Sequence, residues 1–446
     1  MNNFEKKITP MHLIKISIPT ICMLLFMSLY SIVDGIFVSR FIGTDALSAV
    51  NIIYPFINIL IAIGTMLASG GSAIISKKLG EKKDLEAKQD FSLLIITGLT
   101  LGLIVTVISF VFFDKIIYLL GSSEELLTYC KEYLFIIAIF APTFILSLLY
   151  QILSITSGNA HIGLILTLIG GISNMILDYI FIVPMNMGII GASLATSIGN
   201  LLPSILGTIY FLNKKYSLHF VKPKFNFKTL KDSLINGSSE MVGNLSTGIT
   251  TVLFNISMIK ILGSNGVSAL TIVLYGQFLI TAVFMGFSAG ISPIIGYNYG
   301  AKNKKSIRNT VKYGFGCIAI SSIIMYFISV LLSKVIIGVF TPIESDVYTI
   351  AYRGFLIFSL SFLITGINIF TSAVFTAFSN GKISAILSFC RTFIFIVAGI
   401  IFLPEIIGVD GVWLAVPIAE SLSMIMSLRY LNKYKDVYGY SKSNFK

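Results

Sequence analysis

The sequence predicts an all-α polytopic membrane protein, with twelve transmembrane helices in two six-helix lobes related by an internal parallel repeat. Three observations lead there. The chain is 55% hydrophobic and only 12% charged, with a mean hydropathy of +0.90, whereas a soluble chain carries about twice that charged share. Apolar runs long enough to cross a bilayer, about 20 residues each, recur from one end to the other. Laid over itself so that position 41 falls on position 261, the sequence matches itself.

The runs lie near 14–39, 50–76, 91–113, 132–153, 162–183, 189–212, 234–259, 267–295, 311–333, 350–375, 383–403 and 411–431. Span one contains Pro19, which lacks an N–H for the helix ladder and so predicts a kink. "MNNFEKKITPMHLIKIS" before it has no signal-peptide cleavage site, so span one is expected to remain as a helix. Span seven, "LINGSSEMVGNLSTGITTVLFNISMI", is the weakest by hydropathy because it is rich in Ser, Thr and Asn. The repeat rescues it, since it falls on span one at the same offset. "FIGTDALSAV" (41–50) falls on "ILGSNGVSAL" (261–270), "ISKKLGEKK" (75–83) on "IGYNYGAKN" (295–303), and "PMNMGIIGASLA" (184–195) on "PEIIGVDGVWLA" (404–415). The repeat divides the chain into an N-terminal lobe, 1–212, a linker, 213–231, and a C-terminal lobe with a short tail, 232–446. Each half has six spans, so both enter from the same side, an arrangement of transporters that handle substrate between parallel repeats.

Charge orients the spans. Most of the 32 basic residues fall in the N-terminus, the loops near 77–90, 213–231, 296–312 and 376–382, and the tail, which includes Lys442 and Lys446. Arg40, Lys115, Lys131, Lys260, Lys334 and Arg353 lie on the other side, and Arg391 alone lies well inside a span. By the positive-inside rule both termini are cytoplasmic, and the protein is placed in the plasma membrane. The net charge of +12 then marks a membrane face, and no nucleic-acid partner is expected. Cys22, Cys130, Cys317 and Cys390 are scattered without pairing or metal spacing and read as packing residues. No Walker A motif and no cofactor signature occur, so uphill transport would draw on an ion gradient.

Carboxylates inside spans are costly and usually face a cavity, a partner or an ion path. At 1.5 Å per residue, Asp34 lies about 9 Å below the outer end of span one, and Asp178 at the same depth in span five. Asn174 shares a helix face with Asp178, and Thr196 in span six lies roughly 10 Å deep. The four reach one level in the outer half of one lobe and form a candidate cation or proton site. Two close carboxylates cannot both be ionised cheaply, and oxygen-only ligands suit Na⁺ or H⁺ rather than a transition metal. Met27, Tyr30, Met66, Tyr275 and Met285 are apolar or aromatic side chains of the kind that pack or line a soft cavity.

"SLYSIVDGIFVSRFIGTDALSAV", "LDYIFIVPMNMGIIGASLAT" and "PIIGYNYGAKN" together resemble the multidrug and toxic compound extrusion (MATE) family, and "NYGA" its MepA-like bacterial branch. The resemblance covers about residues 10–432. It implies a V-shaped bundle of twelve helices that exports drugs and toxic organic compounds in exchange for H⁺ or Na⁺. It also implies that Asp34, Asn174, Asp178 and Thr196 form the cation site, that Pro19 bends span one, and that Glu240 is the family's span-seven glutamate. Some relatives carry an acid in span ten for a second site; "AYRGFLIFSLSFLITGINIFTSAV" has Arg353 and none.

Glu240 and Arg391 sit at matching depth in the C-terminal lobe, about 12–14 Å above the inner face by helical rise. Each alone would be a poorly solvated charge, so they are expected to pair, directly or through a polar group. The alternative is that Arg391 reaches backbone carbonyls or snorkels. The expected function is cation-coupled multidrug efflux, with antibiotic resistance as its phenotype, by a chain that acts as a monomer within the lipid bilayer. The alternative is a lipid-linked oligosaccharide flippase, which would need basic residues in its cavity to meet pyrophosphate. An intramembrane enzyme would need a catalytic dyad or a His-rich metal cluster, and the sequence offers neither.

Overall fold

A computed structural model describes Phe4 and residues 6–440, without the side chains of Ile36, Ser39 and Thr44. Lys442 and Lys446 of the basic tail lie outside the described residues. Every regular element among them is helical: α1 (Pro10–Phe37), α2 (Thr44–Gly80), α3 (Asp84–Val111), α4 (Phe113–Leu119), α5 (Leu127–Ile139), α6 (Ala141–Thr156), α7 (Ala160–Ile182), α8 (Gly188–Leu212), α9 (Phe227–Gly300), α10 (Lys304–Phe340), α11 (Asp346–Ser359), α12 (Phe362–Ala377), α13 (Gly381–Phe389), α14 (Phe395–Ile407) and α15 (Val409–Tyr434). Two π-helical turns, Val38–Ile42 and Cys390–Ile394, extend α1 and join α13 to α14.

Twelve spans map onto these helices. Span four is the bent pair α5 and α6 (53°), and span ten the bent pair α11 and α12 (52°). The long α9 holds spans seven and eight, broken at Gly263, where φ is +65°. Pro19 lies inside α1, which continues as helix on both sides of it.

The repeat is written in the backbone as well as in the side chains. Gly43 and Gly263 both have positive φ between the first two spans of their halves, and Gly188 and Gly408 both precede the last span. Such φ values cost a residue with a Cβ and suit glycine. The turns after spans two, four, eight and ten all close in the Schellman manner. In each, an amide reaches back five residues: Lys83 to Lys78, Asn159 to Ser154, Asn303 to Asn298, and Asn380 to Phe375. The left-handed residues there are Lys82, Gly158, Lys302 and Ser379, so only one is glycine.

Contacts group the chain into two compact units, one of residues 22–237 and one of residues 1–21 with 238–446. In the first unit, Gly64, Gly71 and Gly98 let α2, α3 and α6 approach within the width of a methyl group. A Cβ there would meet Leu148, Leu94 and Leu149 at 2.9, 2.3 and 2.4 Å. In the second unit Gly314 and Gly354 do the same for the rings of Phe370 and Trp413. Small residues at helix seams are what lets apolar helices associate in lipid, where no hydrophobic force drives them together.

Each unit also closes one end with a short tail. In the first, residues 213–221 follow α8. Ser217 Oγ donates to the Ser157 carbonyl in the α6–α7 turn at 3.1 Å, and the Val221 amide donates to Ser92 Oγ on α3 at 3.0 Å. Leu218 is fully buried, and Phe220 packs on Phe91. In the second, residues 435–440 follow α15. Asn380 Nδ2, in the α12–α13 turn, donates to Tyr438 Oη at 2.7 Å, and the Tyr438 ring stacks flat on Phe378 at 4.3 Å. Gly439 lies against the Lys304 side chain at the start of α10. At the offset of the repeat, Tyr438 and Tyr440 fall on Leu218 and Phe220.

Candidate functional site

The first unit brings the four residues of the outer-half cluster together. Asp34 on α1 lies within interaction range of Asp178 and Asn174 on α7. Asp178 and Asn174 are buried, at 0% and 3% exposure. Thr196 on α8 lies next to Tyr133 on α5, and the Tyr133 hydroxyl feels both carboxylates.

Glycines make this proximity possible. A Cβ on Gly171 of α7 would stand 2.5 Å from the Phe26 ring and 2.7 Å from the Tyr30 ring, so α1 lies hard against α7. A Cβ on Gly170 would stand 2.5 Å from the Gly199 carbonyl, and one on Gly199 3.0 Å from Asn174 Cβ. The α7–α8 seam is therefore closed to backbone distance just beside the polar atoms.

Those atoms are not spent on each other in good hydrogen bonds. Asp34 Oδ1, both side-chain polar atoms of Asn174, both Asp178 oxygens and Thr196 Oγ1 are buried without a hydrogen-bond partner among the described residues. Burying polar groups unpaired costs about 1–3 kcal/mol each, more when charged, so such a group of atoms is expected where a ligand satisfies them. The set is almost all oxygen, carries up to two negative charges and offers no sulfur or imidazole. It fits a proton or a hard monovalent cation. Sequence reasoning missed Tyr133, whose phenol completes the wall next to Thr196. Its signal was weak, since a tyrosine in an apolar run is more often packing than function.

The second unit gives Arg391 a different direct partner from the one depth counting suggested. Arg391, in the π-helical turn, pairs with Glu420 of α15, Nη1 to Oε1 at 3.2 Å. Asn368 Nδ2 on α12 donates to Glu420 Oε2 at 2.6 Å, and Ser427 Oγ donates to Asn368 Oδ1 at 2.9 Å. Glu420, Asn368 and Ser427 are at most 4% exposed. Glu240 remains within the electrostatic reach of Arg391 but outside salt-bridge distance. Depth fixes only height along a helix, and the π turn sits next to α15. Glu420 carried the same signal as Asp34, a carboxylate inside an apolar run. Arg353 pairs with Asp410.

A family model described as MatE matches residues 19–180 and 241–401. The Multidrug export protein MepA of Staphylococcus haemolyticus is 27% identical over 419 residues, covering 90% of this chain and 89% of that one. The protein of that name from Staphylococcus saprophyticus is 25% identical, covering 97% and 96%. A crystal structure of MATE in the straight conformation superposes with a TM-score of 0.92 over 99% of both chains, at 21% identity.

Proposed function

We propose, from the premise that the chain belongs to the MatE family, that it is a secondary multidrug transporter exporting lipophilic, often cationic compounds in exchange for H⁺ or Na⁺. The carrying observation is the group of buried, unpartnered oxygens that Asp34, Asn174, Asp178 and Thr196 present from three helices of one unit. The MepA relatives named above support the cargo class. The basic end of each unit faces the cytoplasm, both termini lie on that side, and a single chain suffices.

In this reading the driver ion supplies free energy by moving down its gradient. Asp34 and Asp178 hold one compensating positive charge between them, because two adjacent carboxylates in a low-dielectric setting cannot both stay ionised cheaply. Asn174 and Thr196 contribute neutral oxygens. Tyr133 lies beside Thr196 and excludes water from that side. Drug and ion need differ only in which conformation each favours, since a ligand shifts an equilibrium by its differential affinity alone.

The flippase reading loses support from Arg391, which a diphosphate would need and which Glu420 already engages. Pro19 is the proposed bending point of α1. The experiment is ethidium efflux from vesicles with an imposed H⁺ or Na⁺ gradient. Asp34→Asn is expected to lower gradient-driven efflux at least ~10-fold with normal membrane levels, in line with the cost of intramembrane ionisable groups kept only for function. Asp178→Asn should behave alike and Thr196→Ala more mildly. Wild-type efflux by Asp34→Asn would remove the site from the mechanism.

A further inference from the structure

We propose that the strap from Lys222 to Lys228 is a seat for anionic phospholipid headgroups. The inference rests on the membrane-spanning reading of α8 and α9 and not on what the protein exports.

The strap, "KPKFNFK", is pinned at both ends. Upstream, the Phe220 amide donates to the Phe211 carbonyl at 3.0 Å and the Val221 amide to Ser92 Oγ at 3.0 Å. Downstream, Asn226 caps α9: its Oδ1 accepts from the Thr229 amide at 3.2 Å, and its carbonyl from the Leu230 amide at 3.2 Å. Every residue from 222 to 228, across the downstream pin and into the first turn of α9, is exposed. Phe225 is 75% and Phe227 69% exposed, and the side chains of Lys222, Lys224 and Lys228 make no ion pair or hydrogen bond among the described residues. No acid occurs from 213 to 231.

A chain pinned at Val221 and Asn226 spans at most about 18 Å when fully extended, at ~3.5 Å per residue. It can rise from its anchors by only about half that, roughly 9 Å, which is comparable with the Debye length of ~8 Å at physiological salt. Its pins hold it to helices that cross the bilayer: Ser92 near the start of α3, Phe211 at the end of α8, and the first turn of α9. The lysines therefore stay within range of the membrane surface. Two phenylalanines that the protein leaves bare have an apolar layer to enter at that depth, and three unpaired ammonium groups have phosphates to meet. A solvated charged loop would explain the lysines but not the bare aromatic pair held among them.

The test reads lipid contact and not transport, so it can fail while export stands, and export can fail while it stands. Phe225→Trp in the full-length protein is reconstituted into vesicles of phosphatidylcholine, alone or mixed with phosphatidylglycerol, with lipids brominated high on the chain. Wild type, whose single tryptophan is the buried Trp413, provides the background. Both leaflets have one composition, so insertion direction does not matter. Quenching and a blue shift are expected with phosphatidylglycerol. The Lys222→Gln, Lys224→Gln, Lys228→Gln triple variant should lose on the order of 100-fold in the seated-to-free ratio, given three surface lysines. Quenching that is absent, that is equal in the two lipids, or that survives the triple substitution overturns the proposal. The three lysine side chains make no hydrogen bond or ion pair among the described residues, and an unchanged unfolding temperature checks that each variant is folded.

Discussion

At the scale of the residue, Glu420 and the Asp34–Asp178 pair are buried in opposite ways. Glu420 has its positive partner built in, with Arg391 on one oxygen and Asn368 on the other. Asp34 and Asp178 have none. Removing one member of a buried, hydrogen-bonded pair leaves the other uncompensated and typically costs about 3–5 kcal/mol. Glu420→Gln or Arg391→Met should each lower the unfolding temperature strongly, and the double variant should recover much of the loss. Thermal unfolding in detergent measures this; additive losses would mean that the two side chains act separately. Replacing Glu240 should cost less than replacing Glu420, because Glu240 acts on Arg391 only at longer range. A carboxylate in an apolar run is visible in sequence and flags both Asp34 and Glu420. Its partner is not visible, because pairing depends on which helices are neighbours, and depth along one helix says nothing about azimuth around it.

At the scale of the element, the span count, the gap between spans seven and eight and the match of span seven to span one were all legible, since each rests on hydropathy or on the repeat. The bends were less so. The α5–α6 bend has Pro142 at the start of its second helix, a readable cause. The α11–α12 bend has no proline or glycine at its break, and only the packing of Phe355, Phe358 and Phe362 into the core shows where the helix turns. The docked tails were not legible either: both read simply as basic loops. Burial raises the phenols of Tyr438 and Tyr440 above their ordinary range, so these side chains stay uncharged at any pH a cell meets. Tyr438→Ala removes both the flat stack on Phe378 and the Asn380 hydrogen bond. Hydrogen exchange should rise several-fold across the turn at 376–384 and stay unchanged at 154–160. Leu218→Ala should do the reverse, raising exchange at 154–160, because a fully buried leucine truncated to alanine costs about 2–5 kcal/mol. Exchange that rises equally in both turns would show that the tails do not fasten their units individually.

At the scale of the whole molecule, the division by contacts does not follow the division by sequence repeat. The start of α1, as far as Ile21, packs with the unit that resumes at Ser238, and residues 227–237 at the head of α9 pack with 22–226. The contacts that do this are related by the repeat. A Cβ on Gly70 would stand 1.9 Å from the Ser233 carbonyl oxygen, and one on Gly237 1.8 Å from that of Met66. At the corresponding positions of the other half, a Cβ on Gly290 would stand 2.9 Å from Ser17 Cα, and one on Gly286 2.5 Å from Ile21 Cα. Gly286 and Gly290 form a small-xxx-small pair of the kind that lets two helix backbones touch. Gly70→Ala and Gly237→Ala meet backbone that cannot move aside, so each should cost at least the ~1–3 kcal/mol of an overpacked core, seen as lost yield and a lowered unfolding temperature. Wild-type stability in both would refute the backbone approach at these positions. The same crossing sets an order on biogenesis. When Ser17 leaves the ribosome, its seat at Gly290 is still about 270 residues away, roughly 15–55 s at ordinary elongation rates. During that interval the start of α1 waits with its partner unmade, so the order of birth and the order of packing differ. With Cys22, Cys130, Cys317 and Cys390 replaced by serine, Ser17→Cys should therefore react with maleimide in chains stalled before residue 286 and become protected once α9 is complete; protection in the shorter chain would mean that α1 finds its place without its distant partner.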